Sequence, residues 1–116
     1  MLPKKHRLSR SKDFEKVTKN GVKVNTEIAV IYAIANPLTQ NNSEIGLIVS
    51  KIVGNSVARH KVSRQIRNVV KEILNKIPNN IQIVVRALPK INEKDFFEIE
   101  NILEKAILKS IEKANV

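Results

Sequence analysis

Two periods of apolar residues alternate along the chain, and the points where they switch set out its elements. Near the start, Phe14 and Val17 fall three apart behind Ser11, with Asp13 and Glu15 close after it and Asn20-Gly21 beyond. That predicts a short helix capped by Ser11 and stopped at Gly21. From Val24 to Ala35 the run Val-Asn-Thr-Glu-Ile-Ala-Val-Ile-Tyr-Ala-Ile-Ala is β-branched and apolar. It reads as a strand buried largely on both faces, with Val22 to Asn25 readable as a separate short strand. Asn36-Pro37 opens a polar loop through Asn41-Asn42-Ser43. Ile45 to Ser50 is the next strand, expected to form a hairpin with the one before it.

Gly54-Asn55-Ser56 punctuates the chain ahead of a long helix, Val57 to about Ile77, which Pro78 stops. Ile81 to Ala87 is a third clear strand, closed by Leu88-Pro89. Asn92 is the expected cap of a last helix, in which Phe96, Ile99, Ile102, Leu103, Ala106, Ile107 and Ile111 recur at three and four. Phe96 and Phe97 both read as core of that helix. Helix, strands, helix, strand, helix implies α+β: one mixed sheet with helices packed on it. At 116 residues the chain has the size of one domain, spanning 1–116 without repeat or linker. Residues 1–9 form a basic N-terminal stretch, expected to be mobile.

Composition narrows the class. No apolar run approaches the ~20 residues that span a bilayer, so no membrane partner is expected. The basic opening has no apolar stretch behind it and does not read as a secretory signal. Cysteine is absent, which removes disulfide partners and thiol nucleophiles and fits a reducing, cytoplasmic setting. The hydrophobic content of 42% supports a real core, so this is not a disordered basic tail.

Charge says more. The net charge is +10, and its distribution is uneven. Residues 1–23 carry a net +6, residues 24–50 a net −2, residues 51–71 a further +6, and residues 72–116 cancel. Two segments therefore hold the excess, a footprint suited to a polyanion whose counterions are released on binding. The second segment lies on the central helix. At 100° per residue, Val62, Ile66, Val69, Val70, Ile73 and Ile77 cluster on one side, while His60, Arg64, Arg67 and Lys71 fall together opposite. No acid occurs between Lys51 and Glu72 to pair with them. Like charges at i, i+4 destabilise a free helix, so an external anion is the natural compensator. At the helix start, Gly54 permits a tight turn, Asn55 or Ser56 can cap, and Arg59, His60 and Lys61 follow. Backbone N–H groups, dipole and cations converge there on one anionic group, with phosphate the natural ligand.

Other chemistry is weakly supported. Gly21, Gly46 and Gly54 are isolated and form no P-loop. Neither His6 nor His60 has a neighbouring carboxylate to orient it as a catalytic base, so no catalytic residue is assigned. Glu93, Asp95, Glu98 and Glu100 read as dipole complements of a helix start, and no metal site is assigned. A stacking platform for single-stranded nucleic acid needs aromatics. Only Phe14 and Tyr32 remain for it, and each reads equally well as core.

The stretch Lys51-Ile-Val-Gly-Asn-Ser-Val-Ala-Arg-His-Lys-Val-Ser-Arg-Gln-Ile-Arg67 resembles the signature of the protein subunit of bacterial ribonuclease P. Leu2-Pro3, Arg7-Leu8, Asp13-Phe14 and Lys19-Asn20-Gly21 resemble that family's opening. The resemblance implies an αβββαβα domain with a left-handed βαβ crossover. It implies that Asn55, Arg59, His60, Lys61, Arg64, Arg67 and Lys71 bind the catalytic RNA subunit. It further implies that Phe14, Tyr32, Lys51 and Arg86 line a cleft for the 5′ leader of precursor tRNA. Hydrolysis would then be carried out by the RNA, with magnesium bound mainly there. Three departures stand out: Arg59-His60-Lys61 where the family has Arg-Asn-Arg, Ser63 where it has Lys, and Thr18 where it has a second aromatic. The alternative reading is a structural RNA-binding protein of ribosomal type, with no role in cleavage.

Overall fold

The computed structural model describes residues 6–8, 10–36 and 42–114. Its elements run α1 (Ser11–Asn20), β1 (Val22–Asn25), β2 (Ala29–Ala35), β3 (Glu44–Ile48), α2 (Ser56–Ile73), β4 (Ile81–Ala87) and α3 (Phe96–Ala114). Short 3-10 turns at Lys51–Val53, Leu74–Lys76 and Pro89–Glu93 link them. The fold is α+β, with one mixed four-stranded sheet in the order β1-β2-β4-β3. β1 and β2 form an antiparallel hairpin around Thr26, whose hydroxyl donates to Ala29 O and accepts from Ala29 N. β2 and β4 are antiparallel, and β3 runs parallel to β4.

The expected hairpin between the second and third strands does not form, because β4 lies between them. Consecutive strands are neighbours only about two-thirds of the time, and apolarity decides this case. Six of the seven β4 residues are buried, on both faces, so β4 takes the centre. The strand read as continuous from Val24 breaks at Thr26–Ile28, and the separate short strand Val22–Asn25 is real. The polar loop over 37–41, the opening Leu2-Pro3 and residues 1–5 and 9 of the N-terminal stretch lie outside the described residues. Within that stretch residues 6–8 are anchored. Leu8 N donates to Ile45 O (2.9 Å), Arg7 bridges Ile45 on the outer edge of β3, and His6 Nδ1 lies 2.8 Å from Ser43 O.

Strand alternation divides the core in two. Ile31, Ala33, Ile45, Ile81, Ile83, Val85 and Ala87 face α2 and α3, and with Val62, Ile66, Val69, Val70, Leu103 and Ile107 they form the main core. The opposite face carries α1, where Leu8, Val17, Tyr32 and Val84 are buried together and Phe14, Val30, Ile34 and Ile48 pack against them. On this second face Gln82 is buried. Its amide donates to Glu44 Oε1 (2.9 Å) and its oxygen accepts from Asn36 Nδ2 (3.1 Å). A one-residue slip of β3 would break this polar ladder, so it helps set the parallel register.

Four helix ends differ from the sequence expectation, and the first is that of α2, which stops at Ile73 and tightens into the 3-10 turn Leu74–Lys76 instead of running to Ile77. Arg10, not Ser11, precedes the first turn of α1, and its carbonyl accepts from Asp13 N and Phe14 N. Gly21 follows α1 at φ −78°, so it is no left-handed cap. Its function is close approach, since a Cβ there would stand 2.5 Å from Val17 O and 2.7 Å from Ala33 O. At α3 the reciprocal cap is Asp95 with Glu98: Glu98 N donates to Asp95 Oδ1 (2.9 Å) and Asp95 N to Glu98 Oε1 (3.4 Å). Asn92 instead donates to Val53 O at 2.6 Å, tying the turn before α3 to the turn before α2. The core assignment of Phe97 is also wrong: it is 82% exposed, and Phe96 is 39% exposed. Phe97 stands 200° around the helix from the buried Ile99, and Phe96 lies a turn ahead of the first buried position. Among the described residues no helix is long and apolar enough to cross a membrane.

Candidate nucleic-acid interface

The start of α2 is built by two residues. Gly54 adopts φ +154°, a conformation that L side chains rarely take. Asn55 then caps the helix, its Oδ1 accepting from Ala58 N at 2.9 Å. From there His60, Arg64, Arg67 and Lys71 succeed one another at spacings of four, three and four, and all are exposed. At 1.5 Å per residue the row is about 16 Å long. Ser56, Val57, His60, Lys61 and Arg64 line a shallow groove of about 470 Å³ at its beginning. The ion pairs among the described residues, Lys19–Glu15, Lys76–Glu104 and Lys94 with Glu27 and Glu98, all lie off this face.

Arg59 stands apart from the row. It follows one residue before His60, hence 100° around the helix, on the flank that turns toward the core. It is half-buried, and its Nε is buried without a hydrogen-bond partner. Lys61 is exposed, on the other flank and in the groove.

The second group lies across the sheet. Tyr32 and Arg86 point to the α1 face by strand alternation, and Phe14 covers that face from α1. Arg86 is exposed, in register with Val30 on one side and Ile48 on the other. Lys51, exposed, follows three residues after Ile48, at the same end of the sheet as Arg86. Phe14 is half-buried, whereas Tyr32 is 8% exposed and is packed more than presented.

The two surfaces meet at the edge of β3. A pocket of about 200 Å³ is lined there by Arg7, Leu8, Phe14, Gly46 and Arg67, among others. Arg67 thus belongs to the basic row and also reaches the pocket beside Phe14. The sequence reading assigns neither Arg7 nor Gly46 to a site. The signal for Gly46 was present: a glycine inside a strand often marks close approach of another group.

Of the acidic residues near the start of α3, Asp95 and Glu98 are occupied structurally. Asp95 and Glu98 cap the helix, and Lys94 bonds Glu27 at 3.0 Å. That bond holds the Glu27 carboxyl below, and the Lys94 ammonium above, their ordinary ranges. Among the described residues no three His, Asp or Glu side chains gather as metal ligands.

A family model described as Ribonuclease P matches residues 2–111. The chain belongs to the ribonuclease P protein family. The Corynebacterium diphtheriae ribonuclease P protein component is 40% identical over 94 residues, covering 77% of this chain and 79% of that protein. The Mycolicibacterium gilvum protein component is 34% identical over 108 residues, covering 92% and 87%. Among solved structures, the Staphylococcus aureus RNase P protein superposes with a TM-score of 0.82 at 30% identity, covering 91% of this chain and 97% of that one. The Thermotoga maritima RNase P protein shares the fold, with a TM-score of 0.77 at 23% identity, covering 89% and 96%. This ribonuclease P protein is accordingly a component of an enzyme, and no catalytic residue is identified on it.

Proposed function

We propose that this chain serves tRNA 5′-end maturation by holding the two RNAs of the reaction on two surfaces. The exposed row His60, Arg64, Arg67 and Lys71, with Asn55 and Lys61 at its beginning, binds the ribonuclease P RNA. The opposite sheet face, with Phe14, Lys51 and Arg86, takes the 5′ leader of precursor tRNA. Arg59 supports the first surface from its flank, directing its guanidinium from a half-buried position. Tyr32 serves the second mainly as the packed neighbour of Phe14.

The observation that carries this reading is the unpaired basic row on α2. Three permanent cations stand on one exposed helical face, with no acidic side chain bonded to them among the described residues. A phosphate backbone supplies the missing charge. The leader site follows from what lies across the sheet, a half-exposed aromatic flanked by separate cations, which suits a single strand better than a duplex. In this reading hydrolysis and its magnesium belong to the RNA.

The test is cleavage of a precursor tRNA by a bacterial ribonuclease P RNA at low magnesium, with and without this protein. Cleavage at the mature 5′ end that appears only with the protein is the expected result. Tight RNA binding with no stimulation, repeated with the cognate RNA, would overturn it in favour of a structural RNA-binding role.

A further inference from the structure

We propose that Gly46 is a positioning residue for the leader: its bare backbone is the seat on which the Phe14 ring lies, and it sets the depth of that ring in the cleft. The inference rests on the leader reading above and adds a residue outside the basic and aromatic set. A Cβ built on Gly46 would stand 2.5 Å from both Cε1 and Cζ of Phe14, with Leu8 Cβ next at 3.2 Å. Ordinary carbon–carbon contact is about 3.5–4.0 Å, so a methyl group there displaces the ring by about 1 Å or more. The backbone on either side of this contact is fixed by hydrogen bonds. Thr18 Oγ1 donates to Phe14 O (2.9 Å) within α1, and Leu8 is fixed by its bond to Ile45 O.

The consequence reaches across the sheet. Gly46 pairs with Val84, and Val84 with Tyr32. Gly46 and Tyr32 therefore lie in one cross-strand row, two strand spacings or about 10 Å apart. Phe14 on Gly46 and Tyr32 are the two aromatics of this row, with Val84 between them. With any larger residue at position 46 the Phe14 ring rises out of the row and away from the β3-edge pocket it shares with Arg67.

Gly46→Ala, Phe14→Ala and the double variant, each assembled with ribonuclease P RNA, separate the possibilities. The readout is affinity for precursor tRNA carrying a long leader against one carrying a single leader nucleotide. Loss of one base–aromatic stack corresponds to roughly 5- to 150-fold, and Phe14→Ala is expected in that range on the long leader alone. Gly46→Ala should give at least half of that loss on a logarithmic scale, leave the short-leader substrate unchanged, and add nothing in the Phe14→Ala background. Wild-type affinity in Gly46→Ala, an equal loss on both leaders, or an undiminished further loss in the double variant would each overturn the proposal. If Gly46→Ala does not fold, the methyl–ring conflict predicts that Phe14→Ala restores folding, and failure to restore it refutes the seat. A silent Phe14→Ala removes the leader reading itself, and the Gly46 assignment with it, and is distinguished by that single variant.

Discussion

Replacing Arg64 and Lys71 together by Ala removes two of the cations on the exposed face of α2 and touches no buried side chain. Alanine is the best helix former, so α2 should persist. Lys61, Arg64, Arg67 and Lys71 supply the four exposed permanent charges at the face or its flank. If each neutralises one phosphate, the logarithm of the binding constant falls with that of salt at a slope of roughly −2.8 to −3.6, using about 0.7–0.9 per contact. The double variant keeps two contacts and should show a slope of roughly −1.4 to −1.8. A fourfold rise in salt then weakens the wild type by about 50- to 150-fold and the variant by about 7- to 12-fold. Binding of labelled ribonuclease P RNA, titrated at several potassium concentrations and constant magnesium, measures both slopes. An unchanged slope, whatever the loss of affinity, would refute phosphate neutralisation by this face. Arg64 and Lys71 are preferred to Arg67, because Arg67 also lines the pocket beside Phe14 and would mix assembly with substrate effects.

Further outcomes test the fold and the departures from the family pattern. Ser63→Lys adds a cation in the same turn as Arg64 and should steepen the salt slope by about 0.7–0.9, read in the same titration. Ile66→Ala, at a position with no exposure, should lower stability by about 2–5 kcal/mol in urea unfolding. Asn92→Ala leaves Val53 O without its 2.6 Å donor and should cost about 1–3 kcal/mol, measured the same way. Glu27→Gln should lower the melting temperature at neutral pH. Its folded carboxyl titrates below the ordinary range because of Lys94, so the pair's contribution is present above the ordinary carboxylate value and fades as pH falls through the folded one. The variant and wild type should therefore converge in acid, and a constant gap down to strongly acid pH would contradict the pairing.

Element positions were legible because each rests on a local period. Ile81 to Ala87 appears as a strand with the expected limits, and the apolar stripe Val62, Ile66, Val69, Val70, Ile73 and Ile77 is buried throughout. Sheet order was not legible from adjacency, because pairing is decided by which strand can afford burial on both faces. β4 carries that information in its own residues, yet reading it requires comparing strands with one another. Phe97 shows the converse fault. Proximity to the buried stripe suggests core for an apolar run at a helix start, yet the two residues between Phe97 and Ile99 correspond to 200° and place Phe97 outside. The same arithmetic separates Arg59 from His60, a distinction that the motif resemblance, treating Arg59 to Arg67 as one face, conceals. The seat of Phe14 on Gly46 was half legible, since a strand glycine signals an approach but not what approaches.

The basic row survives on α2 because its cost is small beside what holds the helix. Lys61–Arg64, Arg64–Arg67 and Arg67–Lys71 are like-charged pairs at i, i+3 or i, i+4, costing about 0.2–0.5 kcal/mol each and about 1 kcal/mol together. The same helix buries Val62, Ile66, Val69, Val70 and Ile73, worth at most about 1.5–3 kcal/mol apiece. Burial therefore outweighs repulsion several-fold, and the opposite face is free to carry charges that the folded chain leaves uncompensated. The acids are placed where they do not relieve it: Glu15 on α1, Glu27 between β1 and β2, and Glu98 and Glu104 on α3 pair with lysines off the row. A chain selected for stability alone would gain by moving one of those carboxylates to position 63 or 68. Keeping Ser63 and Asn68 there leaves about 1 kcal/mol of local repulsion in place, which a bound phosphate backbone removes. Introducing Asn68→Glu should accordingly stabilise the free protein by a few tenths of a kcal/mol while weakening RNA binding. Stabilisation with undiminished RNA affinity would show that the row is only a solvated surface.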